Sequence, residues 1–209
     1  VYADRATYLG DPDFIDVPVD QLLDSIYNQK RYVDISFDKA TPSVLVSSGK
    51  IPPSESPETT HISVVDANGN AVAITTTLNS SFGNKVMVKG AGFFLNNEMD
   101  DFSSKPGSPN QFGLIGGEAN AIAPNKRMLS SMTPTIVTYM DQLKMVVGTP
   151  GGSTIITSVY QTLLNVIDHG MGMQEAVNAK RVHHQWYPDE IRVETDASVS
   201  YTHLRAHET

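Results

Sequence analysis

Hydrophobic and polar residues alternate in two pairs of short stretches, as they do in half-buried strands. Residues 61–66 and 71–77 predict one β-hairpin, since an Asn-Gly turn signal at 68–69 separates them. Residues 135–139 and 143–147 predict a second hairpin of the same kind. Both connections are short, so the strands of each pair are expected to run antiparallel.

A helical pattern follows the glycine-rich run at residues 148–153. Ser153 or Thr154 is expected to cap the start of this helix, and Gly170 is expected to end it in a left-handed conformation. A second, shorter helix is predicted over residues 173–181. The apolar face of the first helix is expected to consist of Ile155, Ile156, Val159, Leu163, Val166 and Ile167.

Two other stretches lack a strand pattern. Residues 5–40 predict short helical elements and surface loops, including a helix whose apolar positions are Leu22, Leu23 and Ile26. Residues 105–129 form a long loop-rich segment, and a loop of this length inside a compact domain is often a lid. Hairpins with helices packed on them predict an α+β layered sandwich.

Composition and charge narrow the class of protein. Apolar residues make up 40% of the 209 residues and charged residues 18%, which is typical of a globular protein. No apolar stretch approaches the roughly 20 residues that span a bilayer. The net charge of −8 and the scattered basic residues argue against nucleic-acid binding. The absence of cysteine excludes disulfides and thiolate metal sites.

The pair Thr59-Thr60 lies at the junction between a Pro- and Ser-rich linker, residues 41–58, and the first predicted strand. The linker is expected to be exposed and cleavable. If the Glu58–Thr59 bond is cut, Thr59 gains an α-amino group within reach of its own hydroxyl. Threonine then becomes a nucleophile without a separate histidine. The alternative interpretation is an ordinary polar strand start.

Two further motifs have both a catalytic and a plain structural interpretation. Gly151-Gly152 before a helix can present backbone N–H groups to an oxyanion, or can be a simple turn. A phosphate loop is disfavoured because its lysine is missing and the spacing differs. The hydroxyls of Ser130-Ser131 can hold a carboxylate, or can cap backbone groups.

Residues 96–102 concentrate hydrogen-bond acceptors and carboxylates after an apolar triplet. Carboxylates there can bind an ammonium group, or can form a solvated acidic turn. The pair His183-His184 invites a metal interpretation, but adjacent histidines project apart and no third ligand stands at helical spacing. No metal site is therefore expected.

Several of these motifs, taken in order, resemble the γ-glutamyltransferases (γ-glutamyltranspeptidases), and the resemblance covers about residues 1–194. The matching runs are Asp4-Arg5, Tyr8-Leu9-Gly10-Asp11-Pro12, Thr59-Thr60-His61, Thr75-Thr76-Thr77-Leu78-Asn79, Leu95-Asn96-Asn97-Glu98-Met99-Asp100-Asp101-Phe102, Pro124-Asn125-Lys126-Arg127, Leu129-Ser130-Ser131-Met132, Gly148-Thr149-Pro150-Gly151-Gly152-Ser153 and His183-His184-Gln185-Trp186. Several blocks in register make the resemblance specific.

The resemblance implies an N-terminal-nucleophile hydrolase with an αββα four-layer sandwich, here partial. Such enzymes are made as one chain that cuts itself, and the cut maps between Glu58 and Thr59. Residues 1–58 would then be the C-terminal part of a large subunit, and residues 59–197 a truncated small, catalytic subunit. Separately from the resemblance, the sequence pattern decays after Glu194, so residues 198–209 are expected to be a non-native tail outside the fold.

The resemblance also implies a role for each motif. Thr59 would attack a γ-glutamyl carbonyl to form an acyl-enzyme, Thr77 would tune its hydroxyl, and Gly151 and Gly152 would bind the oxyanion. The segment 106–117 is the implied lid, in which Phe112 stands where many bacterial relatives carry a latching tyrosine, so the lid is expected to close by packing alone. The implied substrate ligands are Asn79, Glu98 and Asp101 for the α-ammonium group and Ser130 and Ser131 for the α-carboxylate.

The implied substrates are glutathione and other γ-glutamyl compounds, with water, amino acids or peptides as acceptors and no cofactor. The family uses an arginine from an earlier part of the large subunit. The chain alone is therefore expected to be weakly active or inactive and to need that region as a partner. The family is typically periplasmic or secreted. The alternatives are a cephalosporin or glutaryl acylase of the same superfamily, which lacks the ammonium pocket, and a non-catalytic truncated homologue.

Overall fold

The computed structural model describes residues 1–33, 35–46, 59–195 and 198–205. Within these ranges the chain forms five α-helices and seven β-strands. The helices are α1 (Tyr2–Tyr8), α2 (Val19–Leu23), α3 (Ser25–Val33), α4 (Ile155–Ile167) and α5 (Met173–Asn178). The strands are β1 (Thr60–Val65), β2 (Ala71–Thr76), β3 (Thr135–Tyr139), β4 (Gln142–Val147), β5 (Val182–His183), β6 (Glu190–Thr195) and β7 (Ser198–Arg205). Glu58 and most of the linker lie outside the described residues.

The two predicted hairpins are confirmed. β1 pairs antiparallel with β2, with Ile62 opposite Ile74. β3 pairs antiparallel with β4, and the turn between them contains Met140 and Asp141. Both residues are left-handed, with φ angles of 49° and 58°. Positive φ at both central positions is what a type I′ turn requires, and this turn matches the twist of the flanking strands.

One apolar cluster lies between α4 and the β3–β4 hairpin. Ile155 and Val159 stand one helical turn apart, so they lie on the same face of α4. They are buried with Met145 and Val147 of β4. Burying a side chain of this size contributes about 1.5–3 kcal/mol, so this contact fixes the start of α4 against the sheet.

Both ends of α4 differ from the prediction. No side-chain hydrogen bond caps its start, because a 3₁₀ turn at Gly152–Thr154 leads directly into the helix. Ile167 is 61% exposed, since it is the last residue of the helix. Gly170 has a left-handed φ of 67°, as predicted. α5 ends at Asn178, three residues earlier than expected.

A second apolar cluster joins α1 to the loops beneath α4. Its buried members are Tyr2, Ala3 and Ala6 of α1 together with Ile115, Trp186 and Tyr187. The Tyr2 hydroxyl donates a hydrogen bond to the Ser153 carbonyl, at 2.8 Å. α1 is therefore fixed beside the turn that precedes α4.

The N-terminal helices and the end of the chain also differ from expectation. α2 and α3 form as helices, but Leu23 and Ile26 are 75% and 61% exposed. Ser198–Arg205 forms β7, which pairs antiparallel with β6. We expected no element there, yet pairing requires only backbone N–H and C=O groups, which any sequence without proline supplies. The assignment of residues 198–209 as a non-native tail stays a prediction.

The arrangement is α+β, as predicted. The β1–β2 hairpin approaches β4, where the Ser63 hydroxyl donates to the Val146 carbonyl at 3.3 Å. α4 covers the β3–β4 hairpin through the apolar cluster. In the part of the chain that the structure describes, no helix is long and apolar enough to cross a membrane.

Candidate active site

A cavity of about 140 Å³ opens where the chain enters β1. Most of the residues that the sequence nominated for the site line it, although they come from distant parts of the chain. Gly151 and Glu98 do not line the cavity themselves. Gly151 directly precedes Gly152, and Glu98 belongs to the same short turn as Asp101. The nominated residues in the lining are Thr59, Thr77, Asn79, Asp101, Phe112, Ser130, Ser131 and Gly152.

Thr59 and Thr77 are brought to one side of the cavity by the β1–β2 hairpin, because Thr60 and Thr76 face each other in its register. The N–H of Asn79 donates to the Thr77 hydroxyl oxygen at 2.9 Å. Asn79 itself is 5% exposed and left-handed, with a φ of 74°. Its side-chain amide donates to the Asn97 carbonyl at 3.2 Å, which links β2 to the acidic segment.

The turn before α4 depends on two glycines. Gly151 has a φ of 137° and Gly152 a φ of 55°, conformations that L side chains rarely adopt. The carbonyl of Gly151 accepts hydrogen bonds from the N–H of Thr154, at 3.0 Å, and from its hydroxyl, at 2.7 Å. The turn is therefore closed on itself, and it places Gly152 in the wall of the cavity that Thr59 also lines.

The start of the same loop packs against β1. A Cβ atom on Gly148 would lie 2.2 Å from the His61 ring, so only glycine fits there. The ring is held by two hydroxyls, that of Thr75 at 2.8 Å from Nδ1 and that of Ser63 at 2.9 Å from Nε2. The strand that begins beside Thr59 thus positions the loop that ends at the glycine pair.

Three carboxyl groups gather in the short 3₁₀ turn at Glu98–Asp101. Burial, followed by the charges of Glu98 and Asp100, raises the pKa of Asp101 to about 7. Burial also raises the pKa of Glu98. Crowded, partly desolvated carboxylates of this kind are stabilised when a cation binds between them. The cluster can therefore hold an ammonium group in the cavity.

Arg5 is a cavity residue that the sequence did not nominate. It extends from α1, and its Nη2 donates to the Ser131 hydroxyl oxygen at 3.1 Å. Its charge also opposes the rise in the pKa of Asp101. Sequence reasoning placed Arg5 in a family motif only, because 126 residues separate it from Ser131 and no periodicity connects them.

Ser130 and Ser131 are held in place by polar groups on both sides. The Ser130 hydroxyl oxygen accepts a hydrogen bond from the Met132 N–H at 3.1 Å. Upstream, the Leu129 N–H donates to the Asn120 side chain at 3.0 Å, and the Arg127 N–H donates to the carboxylate of Asp11 at 2.8 Å. In both serines the oxygen is an acceptor, so the O–H proton remains to donate to a bound carboxylate.

The implied lid, residues 106–117, is a loop that forms part of the cavity wall through Asn110, Phe112 and Leu114. The Asn110 side chain accepts hydrogen bonds from the N–H groups of Phe112, at 3.0 Å, and Leu114, at 3.1 Å. Phe112 is 5% exposed. The expectation of closure by packing alone is incomplete, because the Gln111 N–H also donates to the Asp100 carboxylate at 2.9 Å. The role of Phe112 as a lid residue stays a prediction.

The pair His183-His184 contributes no cluster of metal ligands. Among the described residues no group of three or more His, Asp or Glu side chains is arranged to hold a metal ion. His183 is buried and contacts the Thr157 hydroxyl and the Gln185 side chain, at 2.7 Å and 2.8 Å. His184 faces Asp189 instead, with 3.4 Å between Nε2 and Oδ1.

Comparison with known proteins agrees with the resemblance found in the sequence. The profile of the family described as gamma-glutamyltranspeptidase matches residues 1–207. The "Glutathione hydrolase proenzyme" of Escherichia coli K12 is 55% identical over 193 residues, which are 92% of this chain and 33% of that protein. The chain therefore spans about a third of the length of the curated relatives it matches.

Solved structures show the same relationship. The gamma-glutamyltranspeptidase of Helicobacter pylori is 60% identical with a TM-score of 0.64, over 65% of this chain and 73% of that one. A cephalosporin acylase from Bacillus halodurans is 27% identical with a TM-score of 0.69, over 88% of this chain and 30% of that one. The α+β fold expected for an N-terminal-nucleophile hydrolase is thus confirmed.

Proposed function

The chain belongs to the gamma-glutamyltranspeptidase family, and we propose that it carries the nucleophile and most of the pocket of an enzyme that transfers or hydrolyses γ-glutamyl groups. Glutathione and related γ-glutamyl compounds are the proposed substrates. One observation carries the proposal. Thr59 lines the same cavity as an acidic group suited to an ammonium ion and a serine pair suited to a carboxylate.

The first proposed step is self-cleavage. The Thr59 hydroxyl attacks the Glu58 carbonyl, the C–N bond between the two residues breaks, and the Glu58 acyl group moves to the Thr59 oxygen as an ester. Water then hydrolyses this ester. The chain is divided after Glu58, and Thr59 has a free α-amino group that can act as its base.

The freed Thr59 then reacts with the substrate. Its α-amino group takes the hydroxyl proton, and the oxygen attacks the γ-glutamyl carbonyl carbon. The N–H groups of Gly151 and Gly152 stabilise the resulting oxyanion, and each such donor is worth about 3 kcal/mol. The leaving amine departs with the proton, which leaves an ester on Thr59. Water or the amine of an acceptor amino acid or peptide resolves it.

Substrate orientation follows from the charges around the cavity. The α-ammonium group binds to Asn79, Glu98 and Asp101. The α-carboxylate binds to the hydroxyls of Ser130 and Ser131. Arg5 supports this assignment, because it places a cation beside Ser131 and therefore next to the proposed carboxylate. The lid segment excludes water from the side of the cavity that Phe112 closes.

An acylase of the same superfamily is the second candidate, since a cephalosporin acylase shares the fold. A glutaryl group has no ammonium ion, so it would leave the acidic cluster without a cation to bind. The crowding of Glu98, Asp100 and Asp101 therefore favours an amino-acid-type substrate. Comparing the turnover of γ-glutamyl and glutaryl p-nitroanilides separates the two candidates, and a preference for the glutaryl compound would reverse the assignment.

The proposal is tested by activity and by trapping. The full-length gene product, incubated with γ-glutamyl-p-nitroanilide, should release p-nitroaniline and carry a γ-glutamyl adduct on the peptide that begins with Thr59. The isolated 209-residue chain should be weakly active or inactive, because we propose that it needs a further large-subunit region that supplies an arginine. Robust turnover by the isolated chain would contradict that part. We also propose a periplasmic or secreted location, which cell fractionation would test.

A further inference from the structure

A row of buried polar side chains runs inward from Ser153 in the cavity wall to Gln185 and His183, and the proposed chemistry does not use it. Gln185, Ser153 and His183 are 3%, 0% and 5% exposed. Buried polar groups of this kind are costly unless each is hydrogen-bonded in a definite geometry. Their arrangement therefore shows which parts of the site are held together.

The side-chain amide of Gln185 is the centre of this row. Its Nε2 donates to the backbone carbonyl of Phe112 in the lid segment, at 2.9 Å. Its Oε1 accepts from the Ser153 hydroxyl, at 2.5 Å, and from Nε2 of His183, at 2.8 Å. A carbonyl can only accept, so the contact with Phe112 fixes which end of the amide points to the lid.

Two of the three partners of Gln185 belong to the parts of the site that must be aligned for catalysis, the lid segment and the glycine turn. Phe112 lies in the lid segment, residues 106–117. Ser153 directly follows Gly152, and its carbonyl is in turn held by the Tyr2 hydroxyl at 2.8 Å. His183 anchors the other side of Gln185 to α4 through the Thr157 hydroxyl at 2.7 Å. The Gln185 amide thus connects the lid segment, the glycine turn and α4.

We propose that Gln185 is a positioning residue that holds the lid segment closed and keeps the Gly151–Gly152 turn in register with it. This proposal rests on the proposed function of the cavity. The Phe112 side chain has no hydroxyl, and its N–H donates to Asn110 within the lid, so the hydrogen bond from Gln185 to the Phe112 carbonyl joins this residue to the rest of the fold. Gln185 itself touches neither the cavity nor the substrate.

The substitution Gln185→Glu tests the lid contact. A glutamate of nearly the same size still accepts from Ser153 and His183, but as a carboxylate it cannot donate to the Phe112 carbonyl. In the full-length gene product we expect the KM for γ-glutamyl-p-nitroanilide to rise at least fivefold. Chymotryptic cleavage after Phe112, followed by mass spectrometry, should also become at least fivefold faster.

The matched control is Gln161→Glu. Gln161 also bridges two elements through its amide, with Nε2 donating to the Thr157 and Val182 carbonyls at 2.9 Å and 2.7 Å, but it does not reach the lid. This variant should lower the melting temperature and leave both KM and the cleavage rate within twofold of the parent. Equal effects of the two variants on KM and cleavage would overturn the proposal, because Gln185 would then be only a structural residue.

A second variant keeps the test decisive if Gln185→Glu does not fold. Ser153→Ala removes the hydroxyl that donates to Gln185 Oε1 and leaves the Gln185 contact with Phe112 in place, and we expect kcat to fall about fivefold with KM within twofold. An unchanged kcat would count against the proposed link. If the parent protein turns over no γ-glutamyl substrate, the proposed function fails, whereas the cleavage rates after Phe112 still decide the role of Gln185.

Discussion

The substitution Glu98→Gln probes the electrostatics of the proposed ammonium site. In the parent, the Asp101 carboxyl must lose its proton to attract the substrate ammonium group. Burial is the largest cause of the raised pKa of Asp101, and the charge of Glu98 is the next. Removing that charge should bring the pKa of Asp101 below 7, while burial keeps it above the ordinary range of a carboxyl.

The size of the effect follows from the position of that pKa. With a pKa of about 7, Asp101 is ionised in about one molecule in ten at pH 6 and about nine in ten at pH 8. Preference for a substrate that carries an ammonium group should therefore fall about fivefold between pH 7 and 6 and about tenfold between pH 6 and 5. In the Glu98→Gln variant this preference begins to fall at a lower pH. At pH 6 the variant should therefore keep a larger fraction of the preference that it shows at pH 8.5 than the parent does.

The assay is the ratio of kcat/KM for γ-glutamyl-p-nitroanilide to that for glutaryl-p-nitroanilide between pH 5 and 8.5. Both compounds react with the same Thr59, so titration of its α-amino group cancels in the ratio. Only the ammonium group distinguishes them. A ratio that stays flat over this range, or a midpoint that does not move in Glu98→Gln, would refute the assignment of Asp101 to the ammonium group.

Three further predictions concern packing and the carboxylate site. Ile155→Ala should lower the free energy of unfolding by about 2–5 kcal/mol in urea titrations, because this side chain is 1% exposed; a loss below this range would show that the α4 contact is not central. Gly148→Ala should lower the free energy of unfolding by about 1–3 kcal/mol, because the new Cβ atom clashes with the His61 ring. Adding His61→Ala should restore part of this loss. No recovery in the double variant would show that the loss comes from the backbone conformation and not from the clash. Arg5→Met should raise the KM for γ-glutamyl-p-nitroanilide about tenfold by removing the donor to Ser131, and an unchanged KM would exclude Arg5 from the carboxylate site.

Local chemistry explains which parts of the fold the sequence predicted well. The Asn-Gly turn signal and the alternating residues around it identify the first hairpin, and the apolar spacing from Ile155 identifies α4. Details that depend on distant packing were not predictable in this way. Ile167 continues the apolar pattern of α4 but, as the last residue of the helix, is exposed. Ser198–Arg205 pairs with β6 through backbone groups, which leave no side-chain pattern.

The same distinction applies to the candidate site. Thr59, Ser130-Ser131 and Gly151-Gly152 were nominated by chemistry, by motif order and by resemblance. Arg5 and Gln185 were not, although each occurs in a quoted motif. Their contacts, to Ser131 and to the Phe112 carbonyl, cross 126 and 73 residues. Such contacts depend on how α1 and the lid segment pack, which neither periodicity nor spacing reveals.

The central claim is that Thr59 is a nucleophile that frees its own amino group. Intact-mass measurement of the chain and of the full-length gene product tests it directly, with Thr59→Ala and the neighbouring Thr60→Ala as a matched pair. We expect the parent and Thr60→Ala to split between Glu58 and Thr59, while Thr59→Ala stays whole. If the parent stays whole under all conditions, or if Thr59→Ala splits at the same bond, the claim is wrong.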